Sequence, residues 1–203
     1  AMKIDSSKGS SINVDTLWAG DSRCFALTQN TGLEFHSIDD VKDNRPEEFL
    51  VSDSPMSNYI NAEGKFSINY KNFKTSKPTI FIVATDGCFD YFTSPMHFEY
   101  ILLKTMEESK NMDQWQSMLS KEITNVTQDD ATLSLIGIGW QTYDEMINSF
   151  KKRSELILNQ FIEPSQASRE EINALKDQLE KKEKIHKDEN KNRVLKYIKT
   201  RVK

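Results

Sequence analysis

Residues 80–87 read IFIVATDG. Ile80 to Ala84 is an unbroken apolar run of β-branched, aromatic and small side chains, the length and chemistry of a strand buried on both faces. The run stops on Thr85, Asp86 and Gly87. An Asp-Gly pair is most often a plain turn. A carboxylate pinned at the end of a buried strand is also a residue type that ligates hard metal ions. The stretch therefore predicts a sheet core and leaves two readings of its acidic end, which the flanking sequence has to separate.

Outward from this strand, Thr132–Trp140 (TLSLIGIGW) predicts a second buried strand. Ser11–Trp18 (SINVDTLW) alternates Ile12, Val14, Thr16 and Trp18 on one face. Gly20-Asp21-Ser22 is turn chemistry, and Arg23–Thr28 (RCFALT) resumes strand character, so the two segments read as a hairpin. Gln29–Gly32 predicts a tight turn before a short strand over residues 33–36. Residues 37–78 are polar, with a candidate strand at Phe66–Tyr70 and a stop at Lys77-Pro78. Pro95 sits at a helix N1 position behind Thr93-Ser94, and Phe98, Ile101, Leu102 and Met106 follow at helical spacing. Trp115, Met118, Leu119 and Ile123 mark a second helix.

Beyond Trp140 the strand chemistry ends. Met146, Phe150, Ile157, Phe161 and Ile162 suit a helix that Pro164 terminates. From Ser168 onward strong helix formers predominate. Ile172, Leu175 and Leu179 keep an a/d-like seam that fails at Lys182 and His186, and Val194, Tyr197, Ile198 and Val202 form a short apolar stripe. The expected organisation is an α+β domain over residues 1–140 and a helical extension over 141–203. The Met and aromatic positions of 95–125 are expected in the core.

The chain has 203 residues and a mean hydropathy of −0.63, more polar than one compact globule needs, so part of it is expected to be solvated. No apolar run reaches the ~20 residues of a membrane span, and the first residues hold no apolar signal-peptide segment. Cys24 and Cys88 give no disulfide framework and suggest a reducing, cytoplasmic setting. The formal charge of −4 divides unevenly, between an acidic body and a basic tail in which Lys191 to Lys203 carry no acid.

Three acidic motifs lie beside strands: AGDSR (19–23), ATDG (84–87) and QDDAT (128–132). Strands pin their ends, so carboxylates there can converge at one edge of a sheet. Without a cation they would repel, and a hard divalent ion relieves that repulsion with oxygen ligands. A glycine after Asp86 lets the backbone turn and approach a ligand closely.

WAGDSRCFAL is similar to the GDSR segment of the metal-dependent protein serine/threonine phosphatases (PPM, type 2C). GLEFHSIDD resembles the segment that follows it in that family, IFIVATDGCFDYFT resembles its SDG motif, and QDDATLSLIGI its DN motif. The four occur in the family order over about residues 11–140. The resemblance implies an αββα fold, a β-sandwich flanked by helices, with a bacterial-like sequence. It implies two or more Mn²⁺ or Mg²⁺ ions, with Asp86 and Asp129 as direct ligands and catalytic through the bound metal. Asp21 would serve an additional, weaker metal. Asp130 stands where the family more often has Asn, and Asp40 where it usually has His. The implied activity is hydrolysis of phosphoserine or phosphothreonine in a phosphoprotein. The family's N-terminal motifs, with their bridging Asp and phosphate-binding Arg, do not occur here. The resemblance therefore implies the C-terminal part of a domain, completed by an N-terminal half or a partner chain. The alternative is an inactive pseudophosphatase or interaction module of the same fold.

The remaining residues read more plainly. Asp21 equally suits a turn cap or a pair with Arg23, and Arg23 suits an anchor of its motif. His36, His97 and His186 show no ligand spacing. Cys88 suits a small buried hydrophobe. The cationic tail suits a solvated helix whose end complements the macrodipole, ahead of nucleic-acid or membrane contact, with helix-mediated self-association between these.

Overall fold

The structure, a computed structural model, describes residues 1–6, 9–40 and 56–201. The chain divides into two compact units, Ala1–Leu158 and Asn159–Lys203.

The first unit is built on two antiparallel sheets. One has the order β1-β2-β5, with β1 at Met2–Asp5, β2 at Ser11–Trp18 and β5 at Asn69–Ser76. The other has the order β4-β3-β6-β7, with β3 at Arg23–Thr28, β4 at Gly32–Phe35, β6 at Thr79–Ala84 and β7 at Leu133–Ile138. Period-2 alternation decides the layers. Ile12 and Val14 of β2 face Ala26 of β3 and Phe81 of β6, forming a fully buried core between the sheets. The intervening residues Phe25, Leu27, Ile80, Ile82 and Ala84 point the other way. They meet Phe98, Leu102, Trp115, Leu119, Met146 and Phe150 from three helices, α1 (Pro95–Glu107), α2 (Met112–Val126) and α3 (Tyr143–Ile157). The mixed α+β class with two stacked sheets agrees with the sequence expectation. Among the described residues of this unit, the helical layer covers the four-stranded sheet.

Each of these helices starts on a side-chain cap that satisfies a first-turn N–H. Ser94 Oγ accepts from the His97 N–H with Pro95 at N1, as expected. Asn111 caps α2 through the Gln114 N–H, and Thr142 caps α3 through the Glu145 N–H. Arg153 of α3 forms a forked pair with buried Glu99 of α1, at 2.6 and 3.0 Å.

Four expectations are corrected. First, β2 and β3 are not a hairpin: they belong to different sheets, and Gly20-Asp21-Ser22 crosses between them. Burying the Ile12/Val14/Thr16 face requires β2 to lie over β3 rather than beside it. Second, the candidate strand at Phe66–Tyr70 is displaced, since β5 begins at Asn69 and Phe66 is exposed. Third, β7 is not fully buried. It is an edge strand with alternating exposure and Ile136 half in water. A groove of about 400 Å³ runs beside it, lined by Trp115, Leu119 and Ile123 of α2 and by Leu133 and Leu135. Fourth, Pro164 does not end a helix. It lies in the first turn of α4 (Glu163–Arg201), directly after a π-helical turn.

The second unit is α4 itself, preceded by a π-helical turn at Leu158–Ile162. Every described side chain of α4 is exposed. Val202, placed in an apolar stripe from the sequence, lies outside the described residues.

Candidate metal centre

Strand register brings the three acidic motifs to one end of the four-stranded sheet. Arg23 of β3 lies opposite Ala84 of β6, and Ala84 lies opposite Leu133 of β7. Asp21 enters β3, Asp86 leaves β6 and Asp129-Asp130 enters β7, all at that end. The β6 and β7 ends are further locked together. The Thr85 N–H donates to Thr132 O, and the Thr132 N–H donates to Thr85 Oγ1, both at 3.0 Å. Asp86–Cys88 then forms a single 3₁₀ turn in which Asp86 O accepts from the Phe89 and Asp90 N–H groups. A Cβ on Gly87 would lie 2.5 Å from Asp130 O, so only glycine lets the two acidic loops touch.

The side chains at this end surround Arg23. Its guanidinium makes a forked pair with buried Asp39, with Nε to Oδ1 at 2.8 Å. It lies 4.3 Å from the Phe89 ring centroid and 3.6 Å from the Asp90 carboxylate. Asp21 shares the patch: partial burial and the Asp86 charge raise its carboxyl pKa above the ordinary value. Asp90 is pushed up to about 6 by desolvation, with Arg23 opposing and Asp39, Asp86 and Asp21 adding to the rise. One cation thus faces the three carboxylates of Asp39, Asp90 and Asp21, with the Asp86 charge acting on the last two, an arrangement short of positive charge.

Asp40 does a different job. Its carboxylate accepts from the Gly20 N–H at 3.0 Å, from Asn58 Nδ2 at 2.6 Å and from Asn69 Nδ2 at 2.9 Å. Its own N–H donates to Gly20 O at 3.0 Å. The residue therefore grips both backbone groups of Gly20, which sits at φ +90° immediately before Asp21. This tie replaces the hydrogen bonds that a hairpin turn would have supplied.

Among the site residues expected from sequence, Asp21 and Asp86 interact directly through their charges. Asp129 is brought alongside through the backbone, while its exposed carboxylate turns onto its own loop and accepts the Asp130 N–H at 2.7 Å. Asp39 and Asp90 belong to the same patch and were not singled out. The signal for Asp90 was present in DGCFD, where it stands one helical turn after Asp86. Arg23 is the anchor it was expected to be, engaged with Asp39. His36 stacks flat on Phe73 at 3.5 Å between ring centroids, and burial pulls its imidazole pKa down.

The donors here are all oxygen, the chemistry of Mg²⁺ or Mn²⁺ sites rather than of softer metals. Glycine at 87 adds a backbone carbonyl, Asp130 O, at close range. In number the set is short: among the described residues no three His, Cys, Asp or Glu side chains converge on one point. The residues fit a hard divalent cation in kind.

No protein-family model and no curated protein matches the sequence. Solved structures do. A Caenorhabditis elegans sex determining protein matches over 70% of this chain and 41% of its own, at 12% identity and a TM-score of 0.54. The Staphylococcus aureus serine/threonine phosphatase Stp1 matches over 66% of this chain and 54% of its own, at 16% identity and a TM-score of 0.49. The catalytic domain of the serine/threonine phosphatase PstP, in complex with two manganese ions, matches over 64% and 54%, at 13% identity and a TM-score of 0.43. The chain spans about half the length of the solved structures it matches. At these identities the likeness is one of fold, carried by the first of the three: the chain shares the two-sheet α+β arrangement of that protein.

Proposed function

We propose that this chain is the C-terminal part of a bacterial-type, metal-dependent protein serine/threonine phosphatase domain, acting on phosphoserine or phosphothreonine in a phosphoprotein. The observation that carries the reading is the convergence of AGDSR, ATDG and QDDAT at one sheet end, with Asp21 and Asp86 sharing a patch of excess negative charge. Asp86, Asp129 and Asp21 would hold two or more Mn²⁺ or Mg²⁺ ions. When bound, such ions supply an activated water and neutralise the phosphoryl charge.

The chain's own residues prepare that site. Gly87 and the Thr85–Thr132 bonds hold the Asp86 loop against the Asp129-Asp130 loop. Asp40 fixes Gly20 and so aims Asp21. Arg23 is neutralised by Asp39, which makes it an anchor of its motif rather than a phosphate-binding group. The further donors would come from an N-terminal half of the same domain or from a partner chain. The open edge of β7 and the groove beside it support such a completion. Free, buried Cys24 and Cys88 suit a reducing cytoplasm. No helix of the described residues is long and apolar enough to cross a membrane.

A second reading, an inactive module of the same fold, is favoured by one observation. Asp40 stands where the phosphatase family has His, and its carboxylate is committed to three amide donors.

The test is Mn²⁺-dependent hydrolysis of a phosphothreonine peptide by the chain together with its completing segment, alongside calorimetric Mn²⁺ binding. Turnover in wild type and its loss in Asp86→Asn is the expected result. Equal activity in the two would sink the metal assignment. Mn²⁺ binding without turnover in the completed domain would establish the second reading.

A further inference from the structure

The helix α4 runs 39 residues and buries none of its described side chains. A polar helix of that kind is marginal alone in water. Of its eight large exposed apolar residues, five share one face, while Ile185, Leu195 and Ile198 lie off it. At 3.6 residues per turn, Ile172, Leu175 and Leu179 lie on one stripe, and Val194 and Tyr197 return to the same stripe near the other end. Exposures of 50% at Ile172, 57% at Leu175 and 51% at Val194 show how much apolar surface this face leaves in water. Between the two apolar ends the stripe is polar, at Glu183, His186 and Asn190.

Charge divides along the same axis. The first half holds Glu170, Glu171, Asp177, Glu180 and Glu183, which outnumber its cations. The second half holds Lys187, Lys191, Arg193, Lys196, Lys199 and Arg201, opposed only by Asp188 and Glu189.

We propose that α4 is a self-association helix on which two copies of the chain pair antiparallel along this stripe. Leu175 of one copy meets Val194 of the other, and Ile172 meets Tyr197, whose ring already carries the Arg201 guanidinium at 4.7 Å. The arrangement is two-fold symmetric, so each contact occurs twice. Glu183 meets His186 at the centre, and Leu179, at the inner end of each apolar segment, meets Asn190. A parallel pair would also match apolar with apolar, but it would set the two cationic halves side by side. The antiparallel pair lays each acidic half along a basic one, and charge pattern of this kind selects orientation in helix pairs. The proposal uses none of the residues of the acidic sheet end and does not depend on the phosphatase reading.

Sedimentation equilibrium of the full chain tests the proposal. A monomer–dimer equilibrium with a micromolar Kd is expected. Leu175→Lys should weaken it at least tenfold with helix content by circular dichroism unchanged, and Asn192→Ala, on the opposite face, should leave it unaltered. Orientation is read by mild oxidation against a wild-type control that carries only buried Cys24 and Cys88. A chain with both Leu175→Cys and Val194→Cys should form a disulfide-linked dimer, and each single variant should not. A chain that stays monomeric well above micromolar concentration would overturn the proposal. So would efficient cross-linking of Leu175→Cys alone, which reports a parallel pair. Binding to phosphatidylserine vesicles without self-association would assign the stripe to a lipid surface and overturn it equally.

Discussion

Two strands that lie side by side in one sheet, β6 and β7, have similar apolar sequences, TIFIVA and LSLIGI, and different surroundings. β6 is paired on both edges and covered on both faces, by the other sheet and by the helices. Ile80 and Ile82 are inaccessible to solvent. Among the described residues, β7 is paired only with β6, and it leaves Ile136 at 51% exposure. An apolar run thus reports that a strand exists. How many neighbours it has depends on chain elsewhere, and an open apolar edge marks where further chain would pair.

Substitutions can break or sharpen this contrast. The largest effect is expected for Ile82→Ala, which empties a site closed on all sides and should cost about 3–4 kcal/mol in chemical denaturation. Leu135→Ala on half-buried β7 should cost about 1 kcal/mol. Equal costs would show that β7 is buried in solution, by another segment or a second chain.

The junction of the two strands comes next. Gly87→Ala places a Cβ 2.5 Å from the Asp130 carbonyl and must push the two acidic loops apart. A loss of about 2 kcal/mol is expected. Mn²⁺ affinity, where present in wild type, should fall with it, and an unchanged affinity would separate the loop contact from the metal site.

The third test uses pH in the presence of a chelator. The Asp90 carboxyl is raised from 3.8 to about 6 in the folded state. The folded protein therefore binds more protons than the unfolded chain between these values, and stability falls as pH rises through that window. Half of the side chain stays in water, which trims the effect to about 1 kcal/mol. Asp90→Asn should flatten the stability profile between pH 4 and 6, and a profile as steep as wild type would assign the slope to another group. The smallest effect belongs to Ile136→Ser on the open edge, within about 0.5 kcal/mol by thermal melting.

Local signals were legible where the partners are local. The β3–β4 turn at Gln29–Gly32, the Ser94 cap with Pro95, and the β6 run each depend on residues within a few positions. The β2–β3 connection was not legible, because the groups that shape it, Asp39 and Asp40, lie nearly 20 residues away. Gly-Asp-Ser looks the same in a hairpin turn as in a crossover between sheets. At the acidic end, ordered motifs revealed Asp21, Asp86 and Asp129, and register brought all three to one edge. What motifs cannot convey is side-chain direction: Asp129 faces its own loop, whereas Asp90, not singled out, faces Arg23. The polar middle of α4 hid the continuity of its stripe, since a heptad count fails at Lys182 while a 3.6-residue count resumes at Val194.

The grip of Asp40 on Gly20 rests on two groups that a single covalent change can reverse. Two of its three partners are the side-chain amides of Asn58 and Asn69, and both donate to the same carboxylate. Hydrolysis of either amide would turn a donor into an acid facing an acid. Deamidation at either residue would weaken the hold on the loop that carries Asp21, with the backbone uncut.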